Sequence, residues 1–100
     1  MAAISDTIVK TTELSGDYKI QVLTATIASA SDTIVLTEAD NGLSEIVYAN
    51  AHLTAGMDDH CTFVQTSYSS LTITIVTKEE DGTAATDFTG TTVEVLVIGK

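Results

Sequence analysis

Hydrophobic and polar residues alternate along much of the chain with a period of two, which is the period of a β-strand with one buried face. The alternation is clearest in residues 70–77, where Leu71, Ile73 and Ile75 share one face and threonines occupy the other. Residues 92–98 begin in the same way, with three valines on the face that is predicted to point inward. Both segments are predicted to be strands.

Shorter segments rich in threonine, isoleucine and valine predict further strands, because β-branched residues favour an extended backbone. These segments are residues 4–10, 17–27, 33–36, 45–49 and 60–65. In residues 17–27 the apolar positions first occupy the face of Ile20 and Val22 and then change phase at Leu23. Such a change predicts a β-bulge or a strand that crosses between two sheets.

Turn signals separate these segments. An Asn-Gly dipeptide at 41–42 predicts a tight turn, residues 37–40 are compatible with one helical turn, and the longest connection is predicted at 79–90. About seven short strands with turns about every ten residues indicate an all-β protein, a single antiparallel β-sandwich or a small barrel. Residues 17–100 are predicted to form this domain, and residues 1–16 an N-terminal arm or an edge strand.

Charge excludes whole classes of partner. The chain of 100 residues contains 14 acidic residues, four lysines and no arginine, and its formal net charge is -10. Nucleic-acid binding needs cations along one face, so a nucleic-acid partner is excluded, and an anionic membrane surface is disfavoured. No stretch approaches the roughly 18–20 apolar residues of a membrane-spanning helix. Residues 1–6 lack the basic and apolar regions of a signal peptide, so we expect synthesis in the cytoplasm without export by that route.

The densest group of potential metal ligands is Asp58, Asp59, His60 and Cys61, with His52 eight residues earlier in the chain. Zinc needs three or four ligands in a tetrahedral arrangement. Successive residues of a strand point to opposite faces, so His60 and Cys61 are not expected to bind one ion together. The favoured interpretation is a polar turn that leads into a strand whose Cys61 and Phe63 face the core.

The acidic loop with Glu79, Asp81 and, later, Asp87 offers oxygen ligands for calcium, but their order differs from that of an EF-hand loop. A solvated acidic loop that protects a sheet edge is the favoured interpretation. Weak metal sites at Asp58/His60 or at Glu79/Asp81 stay open as alternatives, and no cofactor is predicted.

Catalytic motifs are absent from the sequence, which contains neither a Gly-x-Ser-x-Gly elbow nor a glycine-rich phosphate loop. Cys61 paired with a histidine would need a base held by a third group. The five aromatic residues, with no tryptophan among them, are more typical of core and interface positions than of a sugar-binding platform. We predict that the chain is not an enzyme.

Two strand segments, residues 34–36 and 95–98, carry more apolar side chains than one small sandwich needs. In each segment the apolar residues occupy both faces of the predicted strand. Because proteins in solution avoid large exposed apolar patches, we expect the second face to be buried against a copy of the chain or another subunit. The predicted interface residues are Ile34, Val35, Leu36, Leu96 and Ile98.

The threonine- and valine-rich strands, the loop DGTAATDFTG at residues 81–90 and the segment VEVLVIGK at residues 93–100 resemble those of small virion proteins of tailed bacteriophages. Many such proteins are encoded near the major capsid protein and serve as head decoration, or cement, proteins. The resemblance implies a β-rich and commonly trimeric subunit that clamps major capsid proteins on the outside of the capsid. It also implies docking through an N-terminal arm, here residues 1–16.

From the two-faced strands and this resemblance we expect a non-enzymatic virion protein that binds and stabilises the capsid lattice as a homo-oligomer. Two alternatives remain. One is a surface adhesion or ligand-binding β-sandwich that binds calcium or a glycan, and the other is a tail or neck component of the same class of virion.

Overall fold

The computed structural model describes residues 2–13, 18–56, 61–87 and 90–100. Its elements are β1 (Ala2–Ala3), β2 (Thr7–Glu13), β3 (Lys19–Thr26), β4 (Ser31–Val35), α1 (Glu38–Asn41), β5 (Ile46–Ala55), β6 (Phe63–Ser69), β7 (Thr72–Lys78) and β8 (Thr92–Gly99). They form sheet I, with the strand order β1-β4-β7-β6, and sheet II, with the order β2-β3-β8-β5. The two-residue β1 pairs with β4 in parallel, and the other strand pairs in these sheets are antiparallel. The predicted all-β sandwich is confirmed, with seven strands besides β1.

The core lies between the two sheets, because alternate residues of each strand point toward the other sheet. In β8 the inward residues are Val93, Val95 and Val97, and in β7 they are Ile73 and Ile75. All five are fully buried. These are the two rows that the alternation in the sequence predicts.

The change of phase in residues 17–27 coincides with a register shift between β2 and β3, whose extra residue lies in β2 between Ile8 and Lys10, opposite Leu23 and Val22. β3 pairs with β8 without a register shift along its whole length. Gln21 is buried in the inward row that continues with Leu23, whereas Ile20 and Val22 belong to the outward row. Inward and outward residues therefore alternate regularly along β3. The alternation looks broken in the sequence because Gln21, a polar residue, occupies an inward position.

The inward amide of Gln21 is satisfied by α1. Gln21 Nε2 donates to the carbonyl oxygen of Asn41, and Asn41 Nδ2 donates to Gln21 Oε1 at 3.2 Å. Asn41 is itself held in place, because its Oδ1 accepts from the backbone amide of Thr37 at 3.1 Å. Gly42 ends the helix with a left-handed φ of 70°. The helical turn predicted near residues 37–40 is confirmed, and the Asn-Gly dipeptide ends a helix rather than forming a hairpin turn.

Side-chain hydrogen bonds join the two sheets where the edges of β5 and β6 meet. The backbone amide of Ala51 donates to Thr66 Oγ1 at 3.1 Å, and the Tyr68 hydroxyl donates to the carbonyl oxygen of Val47. On the opposite side, β1 is the edge of sheet I and β2 the edge of sheet II, so residues 2–13 connect the sheets there. All seven residues of β2 are exposed.

Cys61 and Phe63, both predicted to face the core, have different outcomes. Cys61 is buried in a small cluster with Leu53 and Ala85. Phe63 is 39% exposed and lies opposite Lys78 in the outward row of sheet I, so its prediction is wrong. The reason is that β6 begins only at Phe63, and the alternation does not continue back to Cys61.

Asp32 stabilises the crossing of the chain from β3 in sheet II to β4 in sheet I. Its side chain is fully buried. Oδ2 accepts hydrogen bonds from the backbone amides of Ala28 at 2.8 Å and Ser29 at 3.2 Å, and Ser29 Oγ donates to Oδ1. Since a buried carboxylate is tolerated only when its oxygens are hydrogen-bonded, Asp32 and the crossing depend on each other.

We expect the substitution Asp32→Ala to lower the free energy of unfolding by about 3 kcal/mol, because it leaves the donors of the crossing without an acceptor. Urea denaturation followed by circular dichroism measures this change. Asp40→Ala is the matched control, since Asp40 is exposed, and should change the free energy by about 0.5 kcal/mol or less. A similarly small change in both variants would contradict the role assigned to Asp32.

Candidate functional site

The outer faces of the two sheets differ in chemistry. The outer face of sheet I is rich in hydroxyl groups, which belong to Ser31, Thr33, Ser67, Ser69, Thr72 and Thr74. The outer face of sheet II carries a continuous group of apolar and aromatic residues, which we call the apolar face. Its members are Tyr18, Ile20, Val22, Tyr48, Leu96 and Ile98.

The strand register places the residues of the apolar face next to one another. Ile20 lies opposite Ile98, which in turn lies opposite Tyr48 on the other neighbouring strand. Val22 lies opposite Leu96. Residues directly opposite in antiparallel strands point to the same face, with their Cβ atoms about 5 Å apart. The apolar face is therefore contiguous, although its residues come from three strands that are distant in the sequence.

The apolar face is open to solvent. Leu96 is 40% exposed and Tyr48 is 44% exposed, although both are large hydrophobic residues. Ile20, Val22 and Ile98 are half-buried. Their position between neighbouring strands explains this, because the side chains on either side cover part of each one. No other described part of the chain covers these side chains completely.

Polar residues border the apolar face. Lys10 and Thr12 lie on β2, opposite residues of the face, and Asn50 lies on β5. Further along β8, Glu94 Oε1 lies 3.7 Å from His52 Nε2. The charges of Lys10 and Glu94 offset each other, so the outer face of sheet II is nearly neutral, while the whole chain carries -10.

A lysine also lies at one end of the apolar face. Lys100 Nζ is 5.7 Å from the centre of the Tyr18 ring, within the range of a cation–π interaction. The same ammonium group is 4.0 Å from Glu45 Oε2. Three of the four lysines are on or next to sheet II: Lys10, Lys19 and Lys100.

The structure separates the five predicted interface residues into three groups. Ile34 and Leu36 are 0% and 1% exposed and belong to the core, so the expectation that they form an interface is wrong. Val35 is 57% exposed on the outer face of sheet I. Leu96 and Ile98 lie on the outer face of sheet II. One surface cannot contain all five, because the sandwich lies between Val35 and the pair on β8.

Ile20, Val22 and Tyr48 complete the apolar face but are not among the five predicted interface residues. A signal for the first two was present, since Ile20 and Val22 share one face of their strand while Leu23 starts the other. Tyr48 gave no comparable signal, because its neighbour Ile98 is 50 residues away in the sequence and only the register brings them together.

The predicted metal-ligand candidates do not come together in the described residues. Asp58 and His60 lie outside them, Cys61 is buried, and His52 is exposed beside Glu94. No group of three histidine, cysteine, aspartate or glutamate side chains that could hold a metal ion occurs in residues 2–13, 18–56, 61–87 and 90–100.

Asp81, the other metal-ligand candidate, is engaged within its own turn. Its Oδ1 accepts from the backbone amide of Thr83 at 3.0 Å and from the Thr83 hydroxyl at 2.7 Å. These hydrogen bonds, with that of the backbone amide as the larger cause, lower the pKa of Asp81 below its ordinary value. The side chain therefore serves to close the loop after β7.

A shallow groove of about 320 Å³ lies between β5 and β6. It is lined by Ala51, His52, Leu53, Thr62, Phe63 and Val64. His52 is the titratable member of this lining, and a nucleophile held by a second base is not present among these six residues. Four of the six lining residues are apolar, and His52 and Thr62 are the polar ones.

Comparison with known proteins finds no relative of this chain. Neither a protein-family model, nor a curated protein, nor a solved structure matches it. Within the described ranges, no helix has the length and apolar character needed to cross a membrane.

We expect Thr83→Val to raise the pKa of Asp81 part of the way toward its ordinary value, because the hydroxyl donor is lost and the backbone donor remains. Because folding lowers this pKa, the ionised Asp81 side chain stabilises the folded turn at every pH above the unfolded-state pKa. The stabilisation is lost as the pH falls through the folded-state pKa. An NMR titration of the Asp81 carboxyl carbon measures the shift. Thr72→Val, on the outer face of sheet I, is the control. Identical Asp81 titration curves in both variants would contradict the assignment.

Proposed function

We propose that this chain is a non-enzymatic structural protein of a virion. In this proposal it is a capsid decoration protein that binds the outside of the capsid lattice as a homo-oligomer and stabilises the lattice. The observation that carries the proposal is the apolar face, a contiguous hydrophobic surface on a small and strongly acidic domain. The resemblance of residues 81–90 and 93–100 to small phage virion proteins supports the choice of assembly.

The apolar face supports a packing role because its exposure is costly in a free subunit. Burying apolar surface is worth roughly 25 cal/mol per Å², so side chains such as Leu96 and Tyr48 gain stability from a partner. The rest of the surface carries most of the net charge of -10, which opposes association. Like charges there keep free subunits from associating at random. Association through the apolar face is therefore favoured over unspecific association through the acidic remainder of the surface.

Stabilisation of a capsid would follow from mass action. A subunit that binds the assembled lattice, and not its dissociated components, stabilises the lattice by RT ln(1 + [L]/Kd) at each site. At a free concentration of about 100 times Kd this amounts to about 2.7 kcal/mol. No chemical reaction is required of the chain in this proposal.

The test is the composition of virus particles purified from cells that carry the gene. We expect mass spectrometry to find the chain in the particles at a fixed ratio to the major capsid protein, and antibodies against it to label the capsid exterior. Particles from which it has been stripped should break open at a lower temperature and recover when the purified chain is added back. Intact particles that lack the chain, or labelling confined to the tail, would contradict the proposal.

A further inference from the structure

We infer that the apolar face is the contact between two copies of this chain, which pack sheet against sheet about a two-fold axis. The inference rests on the proposed function in one respect, the formation of a homo-oligomer. Beyond the proposed function, it specifies which surface joins the copies and that their contact has two-fold symmetry. The alternative occupants, another protein or the capsid lattice itself, are distinguished by the experiment below.

The arrangement of residues on the outer face of sheet II matches that of a protein interface. β3 and β8 are the two central strands of the sheet and carry Ile20, Val22, Leu96 and Ile98. The polar residues lie on the outer strands or further along the face. An apolar centre with a polar rim is the usual anatomy of a specific interface.

Charge favours a second copy as the occupant. Two molecules of charge -10 repel each other most strongly where their carboxylates face one another. On the outer face of sheet II the carboxylate of Glu94 is offset by Lys10 and lies beside His52. Contact through this face therefore brings two nearly neutral surfaces together and leaves most of the negative charge on the outside of the pair.

The area of the face is sufficient for a specific but moderate contact. Together with its polar rim, the outer face of sheet II has four strands, which are spaced by about 4.8 Å, run for about eight residues and cover about 500 Å². Two copies would bury about 1,000 Å² in total, which is near the lower limit for a specific interface. The surface accessible to solvent is 5360 Å² for one chain, so about a tenth of it would be buried. We therefore expect association in the micromolar range.

The shape of the face favours two copies over three. A sheet face packs on another sheet with its mean strand direction within about 30° of its partner's. In a two-fold arrangement each copy contributes the same patch, so Leu96 and Ile98 of one copy meet the central residues of the other. Such a pair cannot add a third copy through the same surface, because each copy uses its whole apolar face on one partner.

The experiment compares two glutamate substitutions on opposite faces of the sandwich. Leu96→Glu places a carboxylate at the centre of the apolar face, and Val35→Glu places the same group on the exposed outer face of sheet I. Light scattering coupled to gel filtration, from about 1 µM to about 500 µM, covers the expected range of Kd. We expect the unsubstituted chain and Val35→Glu to reach twice the 10.5 kDa mass of one chain. Leu96→Glu should raise Kd by about a hundredfold or more, because it buries unpaired charge.

Three further measurements keep the result interpretable. Leu96→Lys carries the opposite charge and should weaken association as Leu96→Glu does, and thermal melts should show that each variant is folded. Raising the salt from about 20 mM to about 500 mM should strengthen pairing of the unsubstituted chain, because salt screens the repulsion between two acidic molecules.

The possible failures are distinguishable. If the unsubstituted chain pairs and Leu96→Glu pairs equally well, the inference is wrong and the proposed function is unaffected. A mass of three or more chains overturns the two-fold arrangement. If the unsubstituted chain keeps the mass of one chain throughout, self-pairing is overturned, and the particle experiment above then decides whether the chain is a virion protein.

Discussion

The structure depends on β8, a strand whose inward side is apolar, whose outward side is apolar at Leu96 and Ile98, and whose neighbours are β3 and β5. Its inward valines, Val93, Val95 and Val97, are fully buried between the sheets and supply the centre of the core. Burial of this row together with the rest of the core is the dominant favourable contribution to folding, because apolar area removed from water drives the packing of the two sheets. The outward side of the same strand carries Leu96 and Ile98, so the element that holds the fold together also presents the candidate interaction surface.

Polar groups inside and at the edges of the sandwich determine how the two sheets are connected. Asp32 accepts the hydrogen bonds that shape the crossing from sheet II to sheet I. The pair formed by Gln21 and Asn41 fastens the short helix to the inward face of sheet II. Buried polar groups of this kind contribute specificity, because an alternative register would leave them without partners. The apolar rows stabilise the sandwich, and these few polar contacts select one arrangement of it.

Much of the fold could be predicted from local alternation, and the errors have a common cause. Leu23, Ile73 and Val95 lie inside as their periodicity indicates, because each belongs to a strand of seven or eight residues along which the alternation extends over several positions. Phe63 is wrongly placed because its strand starts at that residue, and Ile34 and Leu36 because a short apolar strand gives no indication of which side is covered. Periodicity states which residues share a side. It does not state what lies against that side.

The sequence by itself determined that this is an acidic all-β protein, with the inward rows of β7 and β8 and an excess of apolar strand surface. Only the tertiary structure decided where that excess lies. Ile20, Val22, Tyr48, Leu96 and Ile98 become one surface through the pairing of three strands, while Val35 is separated from them by the thickness of the sandwich. The physical reason is that strand register follows from hydrogen bonds and packing between distant segments, which no local pattern of residues specifies.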